Sequence, residues 1–212
     1  MSDKHPHIYE PTTAITDYII CILSFIFGWI TLSIQDSHFH QLWGTSFILI
    51  GIGALFGGTS HGFGPKISEL SNAIIWRLTL IFVASTAIVL AMSPTLFFIS
   101  GRGVNIIYGI GSLLLITFYN KSRTQTSFSS VVTFYLPLMM ISLIGFILVF
   151  VFFGLTGALF IAIGLVVSLV ASWVQVAKIS LHKHFNYNDL FHVIQLLGIY
   201  LMYRGGIEIR PF

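Results

Sequence analysis

Seven stretches of this chain are long, apolar and nearly free of charge, at roughly 14–34, 42–60, 73–93, 103–119, 131–152, 154–175 and 189–204. A helix needs about 20 predominantly apolar residues to cross the hydrocarbon core of a bilayer. The stretches use most of the 212 residues, which leaves no room for a separate soluble domain. Hydrophobic residues make up 56% and charged residues 8%, a balance typical of membrane chains. The apolar runs are continuous, whereas the strands of a membrane barrel alternate in polarity. Open sheets would leave backbone groups unsatisfied in lipid. The expected fold is therefore all-α: one integral membrane domain over residues 1–212, a bundle of seven transmembrane helices.

Short loops set the expected orientation, because cytoplasmic loops carry the excess of Lys and Arg. Lys4, Lys66, Lys121, Arg123, Lys178 and Lys183 fall on the N-terminal side, against Arg102, Arg204 and Arg210 on the other. This predicts the N-terminus inside and the C-terminus outside. The start, MSDKHPHIYEPTTAITDY, has no charged-then-apolar pattern with a small-residue cleavage site, so the first span is expected to persist as a helix. Cys21 is the single cysteine and has no internal disulfide partner. The net charge of +3 is small and dispersed, so membrane lipids are the expected partners and nucleic acid is not.

Local signals place the landmarks. Pro11 precedes Thr12 and Thr13, which can cap a helix start. Trp29 and Trp43 fit an outer aromatic belt, and Trp76 and Trp173 an inner one. Gly53 and Gly57 form a small-xxx-small pair that permits close helix contact. Residues 94–102 read as an apolar outer loop lying along the interface. The fifth and sixth spans turn around Gly154 and read as scaffold or lipid-facing. His5, His7, His38 and His40 read as solvated surface.

The polar exceptions define the candidate site. Asp17 lies about a turn into the first span, His61 ends the second, and Asp189 and His192 open the seventh. Alternation of the spans puts all of them at one end of the bundle. Ionisable groups at membrane depth are costly and mark functional positions by default. Asn188, Asp189, His192 and Gln195 share a helix face by their three- and four-residue spacing. Imidazole and carboxylate together suit a catalytic zinc with three protein ligands and one water. His61 and His192 are the expected ligands, with Asp189, Asp17 or His184 as the third. Asp17 as general base, with Ser60 or Thr59 holding water or a substrate carbonyl, would complete a hydrolytic site. The competing reading is that these groups simply bond one another and tie helices together.

A seven-helix bundle with a histidine ending the second span and a histidine-bearing start to the seventh resembles the superfamily of alkaline ceramidases and adiponectin and progestin receptors. The resemblance implies an intramembrane amide hydrolase whose zinc is held by one histidine of the second helix and two of the seventh. His61 and His192 match two of those positions. The phrases TTAITDY, GGTSHG and FNYNDLFHVIQLLGIYLMYRG also look like a bacterial seven-helix membrane family across the whole chain. That likeness implies the bacterial inner membrane. The chain departs from the hydrolases at Gly57, where they carry serine, and at Asn188, where they carry the second histidine of the seventh helix. Members of the bacterial family often carry histidine where Tyr187 stands.

Three functions follow as expectations. The first is a zinc-dependent hydrolase of a lipid amide or ester, with Asp17 and Ser60 catalytic and His61, Asp189 and His192 on the metal. The second is a non-catalytic lipid or small-ligand sensor on the same fold. The third is a proton-coupled transporter using Asp17, His61 and Asp189 as a relay. A retinal protein is not expected, because the seventh span holds no lysine for a Schiff base.

Overall fold

The computed structural model describes residues 8–34, 37–124, 127–182 and 185–210. Its regular structure is helical throughout, apart from one isolated bridge between His182 and Phe185. The α-helices are α1 (Pro11–Leu32), α2 (His38–Phe63), α3 (Glu69–Met92), α4 (Arg102–Ser122), α5 (Phe128–Phe153), α6 (Thr156–Val176) and α7 (Tyr187–Glu208). Among the described residues, these seven are the helices long and apolar enough to cross a membrane. By length and composition the chain is an integral membrane protein.

Helix starts follow local chemistry. Ser37, Ser68 and Ser127 each accept a backbone N–H from three residues ahead and so cap α2, α3 and α5. Asn186 caps α7 through a reciprocal box with Asp189. The start of α1 differs from expectation. Pro11 takes the first helical position and neither Thr12 nor Thr13 caps, because the Thr13 hydroxyl turns to α7 instead. Gly154 ends α5 in the left-handed conformation, which opens the tight turn into α6. The apolar stretch after α3 is a short 3-10 turn, Ser93–Phe97, whose Phe97 ring packs on Phe39 and Phe153 rather than lying free at the interface.

Six helices close a ring in the order α1, α2, α3, α5, α6, α7, with α7 returning to α1. The seventh, α4, packs outside the ring on α3. The α1–α7 seam runs parallel and in register. Thr13 meets Asp189, Thr16 meets His192 and Phe27 stacks on Tyr203, each pair 176 positions apart. The α6–α7 seam is antiparallel and closer. A Cβ at Gly205 would collide with the Gly157 carbonyl and lie 2.8 Å from the Ile161 nitrogen, so backbone touches backbone there.

Two surface readings are corrected. Trp43 is fully buried, donates its indole N–H to the Met202 carbonyl at 3.2 Å and packs among Phe39, Phe47 and Phe146. It is a core anchor between α2 and α7, not a belt residue. His40 is 1% exposed and pairs with Ser37 at 2.8 Å, so it belongs to the helix start and not to solvent. His38, Trp29 and Trp173 are exposed as expected. Lys4, His5, His7, Lys183 and His184 lie outside the described residues.

Candidate functional site

The parallel register of α1 and α7 brings their first turns side by side. Three polar pairs cross this seam. The Thr13 hydroxyl donates to Asp189 Oδ1 at 2.8 Å, Thr16 Oγ1 meets His192 Nδ1 at 2.8 Å, and His192 Nε2 stands 3.3 Å from Asp17 Oδ1. Asp17 and His192 are both 5% exposed. The Thr16 hydroxyl also lies 3.0 and 2.9 Å from the Thr12 and Thr13 carbonyls, where its single hydrogen can go. In that arrangement Nδ1 of His192 is the donor, and one proton lies between Nε2 and Asp17 Oδ1. The second carboxylate oxygen, Asp17 Oδ2, is buried without a hydrogen-bond partner.

The backbone of α2 makes room for this carboxylate. A Cβ at Gly57 would lie 3.4 and 3.5 Å from the two Asp17 oxygens, and one at Gly58 would press on Asp17 Cβ at 2.9 Å. The glycine pair in GGTSHG thus lets α1 approach, with no side chain at 57 or 58 to press on Asp17. Gly53 instead faces α3 at Phe82 and Val83.

One turn further out, His61 Nδ1 is 2.7 Å from Glu10 Oε2. Two backbone bonds reinforce this contact, Tyr9 N–H to the Gly62 carbonyl and Glu10 N–H to the His61 carbonyl. The segment before α1 is thereby clipped to the end of α2. The hydrogen bond from His61, against the opposing effect of partial burial, holds the Glu10 carboxyl below the usual carboxylate range. On its other side His61 meets the Trp76 ring edge-on, with centroids 6.0 Å apart.

A cavity of about 160 Å³ lies inside the ring, well above the roughly 10–15 Å³ that a single water requires. At one end its wall carries Asp17, His61, Trp76, Gln175, His192 and Gln195. Toward the middle of the bundle the wall becomes apolar, with Ile50, Leu90, Met139, Ile199 and Met202. Helices α5 and α6 contribute Phe128, Tyr135, Ser168, Ser172 and Gln175, so they are cavity walls and not only scaffold. The Gln175 amide donates to Asn188 at 3.1 Å and the Gln195 amide to Ser168 at 3.1 Å, which ties α6 to α7. The polar stripe Ser168–Ser172–Gln175 on an otherwise apolar helix is the signal that marks α6 in the sequence. Trp76, expected in a belt, is half-buried on this wall.

The expected residues divide accordingly. Asp17, His61 and His192 share the cavity. Asp189 is not on the cavity wall, and both its oxygens are engaged: Oδ1 accepts from Thr13 and Oδ2 from the Asn186 backbone N–H at 2.8 Å. Ser60 faces α3, where it donates to Asn72 at 2.8 Å. Thr59 bonds its own helix at Leu55 and meets the Tyr18 hydroxyl. Among the described residues, no three His, Cys, Asp or Glu side chains form a group able to hold a metal ion. His61, Asp189 and His192 each turn toward a different protein partner, so this donor set does not fit a zinc. Asn188 bonds Gln175.

Fold and site together define a seven-helix membrane protein with a polar-ended cavity inside its ring. The chain belongs to a family of unknown function, DUF6962, whose model matches residues 12–211. No curated protein and no solved structure matches it.

Proposed function

We propose that this chain is a membrane-embedded binding protein for a single-chain amphiphile, acting as a sensor or receptor for it. The polarity gradient of the cavity carries this reading. Polar groups collect where Asp17 and His192 meet, and the wall turns apolar toward the bundle centre. Ligand sites are mostly apolar concavities with a few polar groups that fix orientation. The head of the ligand would sit at Asp17 and His192 and its tail along Ile50, Met139 and Ile199. In this reading the head-binding end faces the cytoplasm, since Lys66, Lys121, Arg123 and Lys178 lie there against Arg102, Arg204 and Arg210 opposite. A bacterial inner membrane fits that arrangement.

The test is saturable binding of a fluorescent alkyl probe by the purified protein in nanodiscs. Ala87→Leu fills the apolar end of the cavity, where Ala87 is 3% exposed. Loss of probe binding with the fold retained is expected. Probe binding that never saturates, or that Ala87→Leu leaves unchanged, refutes the reading.

One observation favours a second reading. A buried carboxylate with a spare oxygen beside a histidine is the arrangement a general base requires. In an amphiphile hydrolase, Asp17 would take the proton of a water attacking an ester or amide, and His192 would hold the carboxylate in place. Release of fatty acid by the purified protein, abolished in Asp17→Asn, would establish this; no release above a lipid-only control would exclude it. A resemblance to the ceramidase and adiponectin-receptor superfamily would fit this second reading.

A further inference from the structure

We infer that the head group this cavity selects is a protonated primary amine. The inference rests on the binding reading above and names its ligand class. Two side-chain oxygens on the cavity wall are buried without partners, Asp17 Oδ2 and Gln175 Oε1. Both are acceptors. A buried polar atom without a partner is destabilising, so each gains when a donor arrives.

Several donors around them are already used. The Gln175 amide donates to Asn188 and the Gln195 amide to Ser168. The hydroxyls of Thr79, Thr86 and Ser172 donate to carbonyls of their own helices. Both ring nitrogens of His192 face protein atoms. Among the described residues of the wall there is no Lys or Arg, and its two imidazoles, His61 and His192, are already engaged by Glu10 and by Thr16 and Asp17, which leaves a carboxylate or phosphate head poorly matched. An anionic head would meet Asp17 instead. Gly57 puts no side chain against the Asp17 oxygens, and Asp17 is itself only 5% exposed. A wall with spare acceptors, in which Asp17 Oδ2 accepts wherever the Asp17–His192 proton sits, and with no Lys or Arg, matches an ammonium group with three N–H donors.

The experiment compares dodecylamine, dodecanol and dodecanoate on the full chain in nanodiscs, with probe displacement as the readout. Dodecylamine is expected to bind at least about tenfold tighter than either partner, which is about 1.4 kcal/mol. Asp17→Asn should remove that preference, bringing dodecylamine affinity down to about that of dodecanol. Gly57→Ala is the second variant: its methyl would sit at ordinary contact distance, 3.4 Å from Asp17 Oδ2, so it covers the oxygen without crowding the fold. It should weaken the amine and spare the alcohol. Equal affinity for amine and alcohol, or tighter dodecanoate, overturns the amine assignment while binding itself stands. Saturable binding of none of the three overturns the binding reading as well.

Discussion

Replacing Asp189 separates a structural tie from a ligand-holding carboxylate. Its Oδ2 completes the α7 cap, and its Oδ1 receives the Thr13 hydroxyl across the α1–α7 seam. Thr13 and Asp189 are 1% and 2% exposed, so solvent replaces neither bond. Losing a cap costs about 1 kcal/mol. Stranding the Thr13 hydroxyl costs about 1–3 kcal/mol by soluble-protein measures. Interhelical bonds within membranes average only about 0.6 kcal/mol. The lower figure governs the seam, because Thr13 can turn its hydroxyl back to its own helix. Asp189→Ala should therefore destabilise by about 1.5 kcal/mol at most, one reciprocal cap bond plus a modest seam, because Asn186 keeps its own bonds to the α7 backbone. Asp189→Asn keeps a carbonyl for the cap and turns its amide to the Thr13 oxygen, so its loss should stay below about 1 kcal/mol. Thr13→Val should cost roughly 0.6–1 kcal/mol in the native background and almost nothing after Asp189→Ala. Equilibrium unfolding in mixed dodecyl sulfate and maltoside micelles measures all four variants. Equal losses for Asp189→Ala and Asp189→Asn, or strictly additive losses with Thr13→Val, would refute the assignment.

Other perturbations address other contacts. The Glu10 carboxyl is held low by His61, so its stabilisation is complete above the ordinary value of 4.5 and fades as pH falls through the lower folded value. Wild type should resist proteolysis of the N-terminal segment better than Glu10→Gln near neutral pH, and the two should converge in acid. A constant difference at all pH values would show that His61 is not the cause. Gly205→Ala places a methyl against the α6 backbone and should cost about 1–3 kcal/mol, read by the same micelle titration. Trp43→Phe keeps much of the ring packing but loses the indole hydrogen bond to the Met202 carbonyl, for a loss of about 1 kcal/mol.

The helices were legible because lipid imposes length and polarity on every crossing. The convergence of Asp17, His61 and His192 at one end was legible too, since alternation of spans fixes depth. Partner choice was not. Nothing in the spacing of Asp189 distinguishes a metal ligand from a cap residue; the Asn186 side chain three residues earlier decides it by offering the reciprocal bond. Trp43 sits at the outer end of its span like a belt residue, and only the ring closure of α2 with α7 buries it. Ser60 and His61 are neighbours in sequence, yet a helical step of about 100° turns one to α3 and the other to Glu10. Gln175 belongs to the stripe with Ser168 and Ser172, but small hydroxyl residues also pack ordinary membrane helices, so the stripe gains its meaning only once α6 is seen to line the cavity.

The parallel seam of α1 and α7 has an electrostatic consequence. Antiparallel neighbours cancel their helix macrodipoles, whereas parallel neighbours add them. Each N-terminus carries roughly half a positive charge within its first turn. Here two such ends stand side by side, and each has a carboxylate at hand: Glu10 at the N-cap of α1 and Asp189 in the first turn of α7. Neutralising both acids would leave like partial charges facing each other at the foot of the seam, and the register that holds Asp17 against His192 would lose its electrostatic support.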